Sequence, residues 1–164
     1  MGKCIILMGF MGCGKTSTGK ALSEMRGIPV LDTDQMIEER AGRSISSIFA
    51  KEGETAFRDM ESALLGELND QKPECILAIG GGMPVREENR ALLKSLGEVI
   101  YLTASDEELV RRLSGDTSRP LLKGGDLRQK IRSLKEAREE IYRSIADRII
   151  ETDGLSPMEI AAKI

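Results

Sequence analysis

Eight residues near the start of the chain, Gly9-Phe-Met-Gly-Cys-Gly-Lys-Thr16, fit the spacing G-x-x-x-x-G-K-[ST], whose chemistry is the holding of phosphate. Glycines at these positions let successive backbone N–H groups turn inward onto anionic oxygens. Lys15 is then placed to reach the outer phosphates, Thr16 to offer its hydroxyl to Mg²⁺, and Gly12, Cys13, Gly14 and Ser17 to line the phosphates. A plain glycine-rich turn between strand and helix gives the same pattern, so the flanks decide. Cys4-Ile5-Ile6-Leu7-Met8 is a continuous apolar run, as expected of a strand buried on both faces. Lys15 to Met25 has Ala21, Leu22 and Met25 at helical spacing, with Gly27 as a stop. A helix N-terminus at the loop adds partial positive charge and free N–H groups where the anion would sit.

Other groups able to do chemistry follow the loop. Ile28-Pro29-Val30-Leu31 reads as a second short strand ending in Asp32-Thr33-Asp34, and ligands of open α/β sheets gather beyond the carboxyl ends of the strands. Asp32 is a candidate to help hold the metal, directly or through water, and Asp34 to accept a hydrogen bond from a substrate hydroxyl. One of the two also suits the N-cap of a helix around Met36-Ile37-Glu38, and a single aspartate can do both. Arg58 and Glu61 lie three apart on a helical face, so their minimum reading is a surface ion pair worth well under ~1 kcal/mol. The guanidinium could instead grip a substrate carboxylate through two parallel hydrogen bonds, although spacing alone favours the pair. Gly80-Gly81-Gly82 follows Cys75–Ile79, a third buried strand, and either admits a ligand close to the backbone or serves a tight turn needing positive φ. Residues 114–125 have three glycines, a proline and few apolar anchors. They read as a mobile lid carrying Arg119 toward a transferring phosphoryl group, or as a plain loop with an incidental arginine.

The elements that must position these groups alternate strand and helix. Ser44 to Leu68 is helical in two pieces separated by Gly53. Glu87–Leu96 is a helix, Val99–Leu102 a fourth strand, and Asp106–Leu113 a helix capped by Ser105. Asp126–Ala146 is a long charged helix containing Arg138 and Tyr142, and Arg148–Thr152 a fifth strand. Ser156-Pro157-Met158-Glu159 matches a capping box with proline at the first helical position, opening a last helix. This order predicts a three-layer α/β domain with a mostly parallel sheet, occupying residues 1–164 as one unit.

Composition narrows the partners. The 164 residues carry 24 Lys plus Arg against 27 Asp plus Glu, a net charge of −3, so no global basic field recommends nucleic acid or an anionic membrane. There is no histidine to serve as acid, base or metal ligand. Three cysteines in a chain that starts without a charged-then-apolar leader suit a reducing cytoplasm, with Cys4 and Cys75 in apolar runs as core residues. Cys13 in the phosphate loop reads as a small residue filling a tight turn, with a lowered pKa and oxidation as the sharper alternative.

Taken together, Gly9 to Thr16, Asp32-Thr-Asp34, Gly53-Glu54 with Phe57-Arg58 and Glu61, Gly80 to Gly82, Arg119-Pro-Leu-Leu122, and Arg138 with Tyr142 resemble the shikimate kinase family over nearly the whole chain. The resemblance implies a five-stranded parallel sheet in the order 2-3-1-4-5, a substrate-binding region at about 33–61 and a lid at about 114–125. It also implies Mg²⁺- and ATP-dependent phosphorylation of the 3-hydroxyl of shikimate, in the route to chorismate and aromatic amino acids. By matching position, it places Asp34 on the shikimate hydroxyls and Arg58 and Arg138 on its carboxylate. Backbone N–H of Gly80, Gly81 and Gly82 would face the substrate, Arg119 would be the lid arginine, and Arg112 would lie against adenine, with residues 152–157 as the adenine loop. Lys15, Asp34 and Arg119 are then the catalytic set and Thr16 and Asp32 the metal ligands. A monomer is expected. Rival expectations are a kinase for another small acid, polyol or nucleoside monophosphate, gluconate among them, and a non-catalytic ATP-binding switch.

Overall fold

The chain's continuous apolar runs become the strands of one buried sheet. In a computed structural model, described over residues 3–115, 120–122 and 124–164, the strands are β1 (Cys4–Met8), β2 (Val30–Asp32), β3 (Ile76–Ala78), β4 (Gly97–Thr103) and β5 (Arg148–Glu151). They pair in parallel in the order β2-β3-β1-β4-β5, with Ile5 opposite Ile76 and Ile6 opposite Val99. Parallel strands need helical crossovers. The described helices are α1 (Lys15–Arg26), α2 (Thr33–Ala41), α3 (Ile45–Glu52), α4 (Glu54–Gln71), α5 (Glu87–Leu96), α6 (Asp106–Leu113), α7 (Leu127–Ile145) and α8 (Pro157–Ala162).

Alternation along β1 divides the interior in two. Cys4, Ile6 and Met8 face a core shared with α4, α5 and α7, whereas Ile5 and Leu7 face one shared with α1 and α8. A smaller cluster of Phe10, Leu109, Leu113 and Ile131 supports the phosphate loop from the side of α6 and α7. Among the described residues no helix is long and apolar enough to cross a membrane.

The elements follow the sequence reading, with shifts at their ends that have physical reasons. β2 begins at Val30 rather than Ile28, because Pro29 has no N–H to give the ladder; its carbonyl still accepts from Ile76 N–H at 2.8 Å. α2 starts at Thr33, so Asp34 lies in its first turn rather than in a loop. β5 stops at Glu151, and Thr152 turns both its N–H (2.9 Å) and its hydroxyl (3.0 Å) onto the carbonyl of Thr103. The capping box at Ser156 and Glu159 forms as expected, with Pro157 at the head of α8.

Candidate active site

The loop between β1 and α1 takes its shape from glycines. Gly12 and Gly14 have φ of 82° and 94°, a region that L side chains rarely enter. Gly14 is also the N-cap of α1 and has no side chain to occupy the first N–H groups of the helix. Lys15 Nζ donates to the carbonyls of Gly9 (2.6 Å) and Phe10 (3.2 Å), which holds the ammonium over the loop. Cys13 is 1% exposed and packs into the core beneath, its Sγ only 2.7 Å from where a Cβ on Gly9 would lie. The sulfur therefore fills a tight loop, the plainer of the two readings.

Asp32 ties the loop to the second strand. Its Oδ2 accepts from Thr16 Oγ1 at 2.9 Å, and its Oδ1 accepts from the N–H groups of Asp34 (2.9 Å) and Gln35 (3.2 Å), capping α2. The cap and the contact with the loop are thus made by one carboxylate, one oxygen for each.

A cleft of about 580 Å³ opens over the loop, with Lys15, Thr16, Asp32 and Asp34 in its wall. Arg112 crosses its far side, donating from Nε to Glu108 (2.9 Å) and from Nη1 to the carbonyl of Gly12 (3.0 Å). Hydrogen bonds from Arg111 and Arg112 hold Glu108 at a pKa of about 2. Leu155, Pro157 and Ile160 form an apolar edge to the same cleft. Within the expected adenine loop, Leu155 and Pro157 face the cleft, whereas Thr152 is buried and bonded to Thr103.

A second cavity of about 270 Å³ adjoins the first and shares Met11, Asp34, Glu38 and Gly81 with it. Its walls combine the rings of Phe49 and Phe57, 5.2 Å apart, with Arg58, Glu61 and Arg138. Arg58 donates to Glu61 Oε1 at 2.7 Å and to Glu54 Oε2 at 3.2 and 3.3 Å. The surface pair expected from the spacing is in fact buried: Glu61 is 0% exposed and the Arg58 side chain 12%. Burial pushes the Glu61 carboxyl up to about 7, against the pull of Arg58 and with a push from Asp34. Arg138 is 5% exposed, its guanidinium 5.9 Å from the centre of the Phe10 ring, and its Nη1 has no hydrogen-bond partner among the described residues. Such a buried, under-satisfied cation is a ready seat for an anion.

The glycine run is shaped by these charges. None of the three glycines has positive φ, so the tight-turn explanation does not apply. A Cβ on Gly80 would fall 2.7 Å from Asp34 Oδ1 and 2.8 Å from Glu61 Oε2. On Gly81 it would meet Arg138 Nη1 (3.3 Å) and the Tyr142 hydroxyl (3.4 Å), and on Gly82 it would overlap the Arg58 guanidinium. The run thus leaves room for side chains from α2, α4 and α7 to converge on one backbone segment. Of the three backbone N–H groups expected to face a substrate, that of Gly80 donates to the hydroxyl of Thr33 at 3.0 Å. The Tyr142 hydroxyl donates to the carbonyl of Gly81, and burial raises its pKa to about 12.

The sequence reading pairs Glu61 with Arg58 and counts it in the family resemblance but gives it no role of its own in the site. A signal was present: Phe57, Glu61, Leu64, Leu65 and Leu68 share the buried face of α4, so the carboxylate interrupts an apolar stripe at helical spacing. Ser17 and Gly12 line the first cleft. Arg119 lies outside the described residues.

Comparison with known proteins points one way. The family model described as shikimate kinase matches residues 11–164. The shikimate kinase of Marinomonas sp. (strain MWYL1) is 43% identical over 161 residues, covering 98% of this chain and 88% of that protein. That of Francisella tularensis subsp. novicida (strain U112) is 41% identical over 162 residues, covering 99% and 92%. Among solved structures, shikimate kinase from Acinetobacter baumannii in complex with shikimate superposes with a TM-score of 0.95 at 39% identity, covering 99% of this chain and 90% of that one. With the sheet order, the phosphate loop and the paired cavities in place, the chain belongs to the shikimate kinase family.

Proposed function

We propose that the chain transfers the γ-phosphoryl group of ATP to the 3-hydroxyl of shikimate, giving shikimate 3-phosphate and ADP. The observation that carries this reading is the meeting of the two cavities at Asp34, one built on a phosphate loop and the other holding the guanidinium groups of Arg58 and Arg138. In this reading the nucleotide phosphates lie on the N–H groups of Gly12, Gly14, Lys15, Thr16 and Ser17, Cys13 shaping the loop with its own N–H on the Phe10 carbonyl at 3.1 Å, and adenine lies between Arg112 and the edge formed by Leu155 and Pro157. The acid lies in the smaller cavity, its carboxylate on Arg58 and Arg138, with the backbone of Gly81 and Gly82 beside it.

Phosphoryl transfer passes through a loose transition state with charge spread over the equatorial oxygens, so cations and N–H groups supply most of the catalysis. Lys15 contributes one such cation when it leaves the Gly9 and Phe10 carbonyls for the phosphates, and Arg119 a second by family resemblance. Asp34 orients the attacking hydroxyl from the shared wall and takes its proton late in the step. The hydroxyl of Thr16 and the carboxylate of Asp32, 2.9 Å apart at the mouth of the larger cleft, are hard oxygen donors. They fit Mg²⁺, which takes few protein ligands and completes its shell with phosphate and water. Bound there, the ion neutralises charge on the phosphates.

A monomer is the working unit in this reading, and the three free cysteines suit the cytoplasm. The deciding experiment is coupled ADP release with Mg·ATP and shikimate, gluconate, AMP or no acceptor at matched concentration. Release with shikimate alone is expected. Release with a different acceptor would keep the nucleotide site and discard Arg58 and Arg138 as shikimate ligands; no release from a protein that still binds ATP would favour a binding module.

A further inference from the structure

The Arg58–Glu61 pair has a charge problem that an acidic substrate makes worse. Glu61 is 0% exposed; its Oε1 accepts from Arg58, and its Oε2 has no hydrogen-bond partner among the described residues. That orphan oxygen and Asp34 Oδ1 converge on Gly80, lying 2.8 and 2.7 Å from the same point. The groups facing Glu61 can be taken element by element. α4 supplies Arg58, whose other edge is already shared with Glu54, and α2 supplies Asp34. α7 supplies Arg138 and the Tyr142 hydroxyl, and the glycine run supplies no charge. Lys15 is held on the carbonyls of its own loop, and Arg86 is bound to Asp59 and Ser62 on the outer side of α4. Two guanidinium groups therefore face the carboxylates of Glu61 and Asp34, with Glu54 sharing Arg58 from its exposed side and Glu38 of α2 on the cavity wall, before any substrate arrives.

A substrate carboxylate placed between Arg58 and Arg138 adds one more anion against those two cations. Buried charges in such surplus are relieved by neutralising one of them. Asp34 opens onto the larger cleft, whereas Glu61 has no exposed surface, so its charge is the costliest to keep. We propose that seating the acid's carboxylate on Arg58 and Arg138 draws a proton from solvent onto Glu61, so that affinity for the acid falls as the pH rises past neutrality. This rests on the function proposed above. The step is balanced: one carboxylate and one solvent proton give one carboxylic acid, which can turn its new O–H toward Asp34 and so satisfy the orphan oxygen. Glu61 is then a positioning residue whose protonation leaves both guanidinium groups to the substrate. Even without substrate, burial already raises its carboxyl to about 7, so the proton is within easy reach at neutral pH.

Proton uptake is measured directly by titrating shikimate into the intact protein by calorimetry at pH 7.5, in phosphate and Tris buffers, whose ionisation enthalpies differ. The wild type should take up a large fraction of one proton per acid bound, and its Kd should rise up to about tenfold per pH unit between 7 and 9. Glu61→Gln, which keeps a neutral acceptor for Arg58, should bind with uptake near zero and a nearly flat Kd. A merely structural Glu61 would leave uptake unchanged in the variant, and that result overturns the inference. Should Glu61→Gln not fold, the infrared difference spectrum of the wild type decides: a protonated-carboxyl band should grow on adding shikimate, and its absence overturns the proposal. Binding without proton uptake would sink this inference alone; no binding of shikimate to the wild type would sink the proposed function and this inference with it.

Discussion

Between pH 5 and pH 7.5 the protein should lose about 2 kcal/mol of folding stability through Glu61 alone. The carboxyl ordinarily titrates near 4.5, and burial lifts it to about 7 in the fold, with Arg58 opposing and Asp34 assisting the shift. A raised carboxyl means that the folded chain binds the proton more tightly than the unfolded one. Stability from this group is therefore highest at low pH, declines as pH rises from about 4.5, and levels off above about 7. The full displacement corresponds to roughly 3 kcal/mol, of which the pH 5–7.5 window spans most. No solvent discount applies, since the side chain has no exposed surface. The window is clean because the chain has no histidine, and Glu108, held at about 2, acts with the opposite sign at much lower pH. Urea unfolding of the wild type and Glu61→Gln at half-unit pH steps isolates the effect: the wild type should lose ground to the variant by about 2 kcal/mol across the window, or about 4–8 °C in Tm. Parallel curves would refute the reasoning, showing that Arg58 compensates the buried carboxylate fully.

The site predicts three further outcomes. Gly82→Ala keeps an allowed helical backbone but drives its methyl into the Arg58 guanidinium; KM for shikimate should rise about tenfold or more with KM for ATP nearly unchanged, and Tm should fall because the buried Glu61 loses its partner. Asp34→Asn should lower kcat by about 100-fold or more while ATP affinity, read by nucleotide fluorescence, stays within about threefold; equal losses in both would remove Asp34 from its role. Arg112→Ala, which frees the Gly12 carbonyl, should raise KM for ATP by about fivefold and leave shikimate binding untouched in calorimetry.

Much of the fold was legible because its central strands are buried on both faces: Ile5, Ile6, Leu7 and Met8 needed no alternation to be recognised, and the capping box at Ser156 marked α8 unaided. What could not be read was depth. The spacing of Arg58 and Glu61 shows that they pair, but a spacing of three is the same on a wet face as in the interior. Only the apolar company of Phe57, Leu64 and Leu68 distinguishes them. Partners remote in sequence were equally hidden. The hydroxyl that takes the Gly80 N–H belongs to Thr33, 47 residues away, a polar residue with 0% exposure that no local pattern announces. The glycine run was recognised as making room, but the occupants turn out to be the protein's own carboxylates and guanidinium groups.

Asp32 carries a consequence for how the site can diversify. Because one of its oxygens holds Thr16 and the other holds the first turn of α2, the placement of Asp34 is gauged from the phosphate loop itself. The aromatic wall of the smaller cavity is held differently: Phe49 and Phe57 come from α3 and α4 and pack on each other's rings and on neighbouring apolar residues, Phe57 also lying 5.2 Å from the Arg58 guanidinium. The acceptor's outline can therefore be recut at position 49, which touches neither Asp34 nor Arg58, without altering the gap that the phosphoryl group must cross. A fixed gauge and an exchangeable wall, built from separate helices, let one phosphate loop keep its chemistry while the shape of the alcohol it serves is revised.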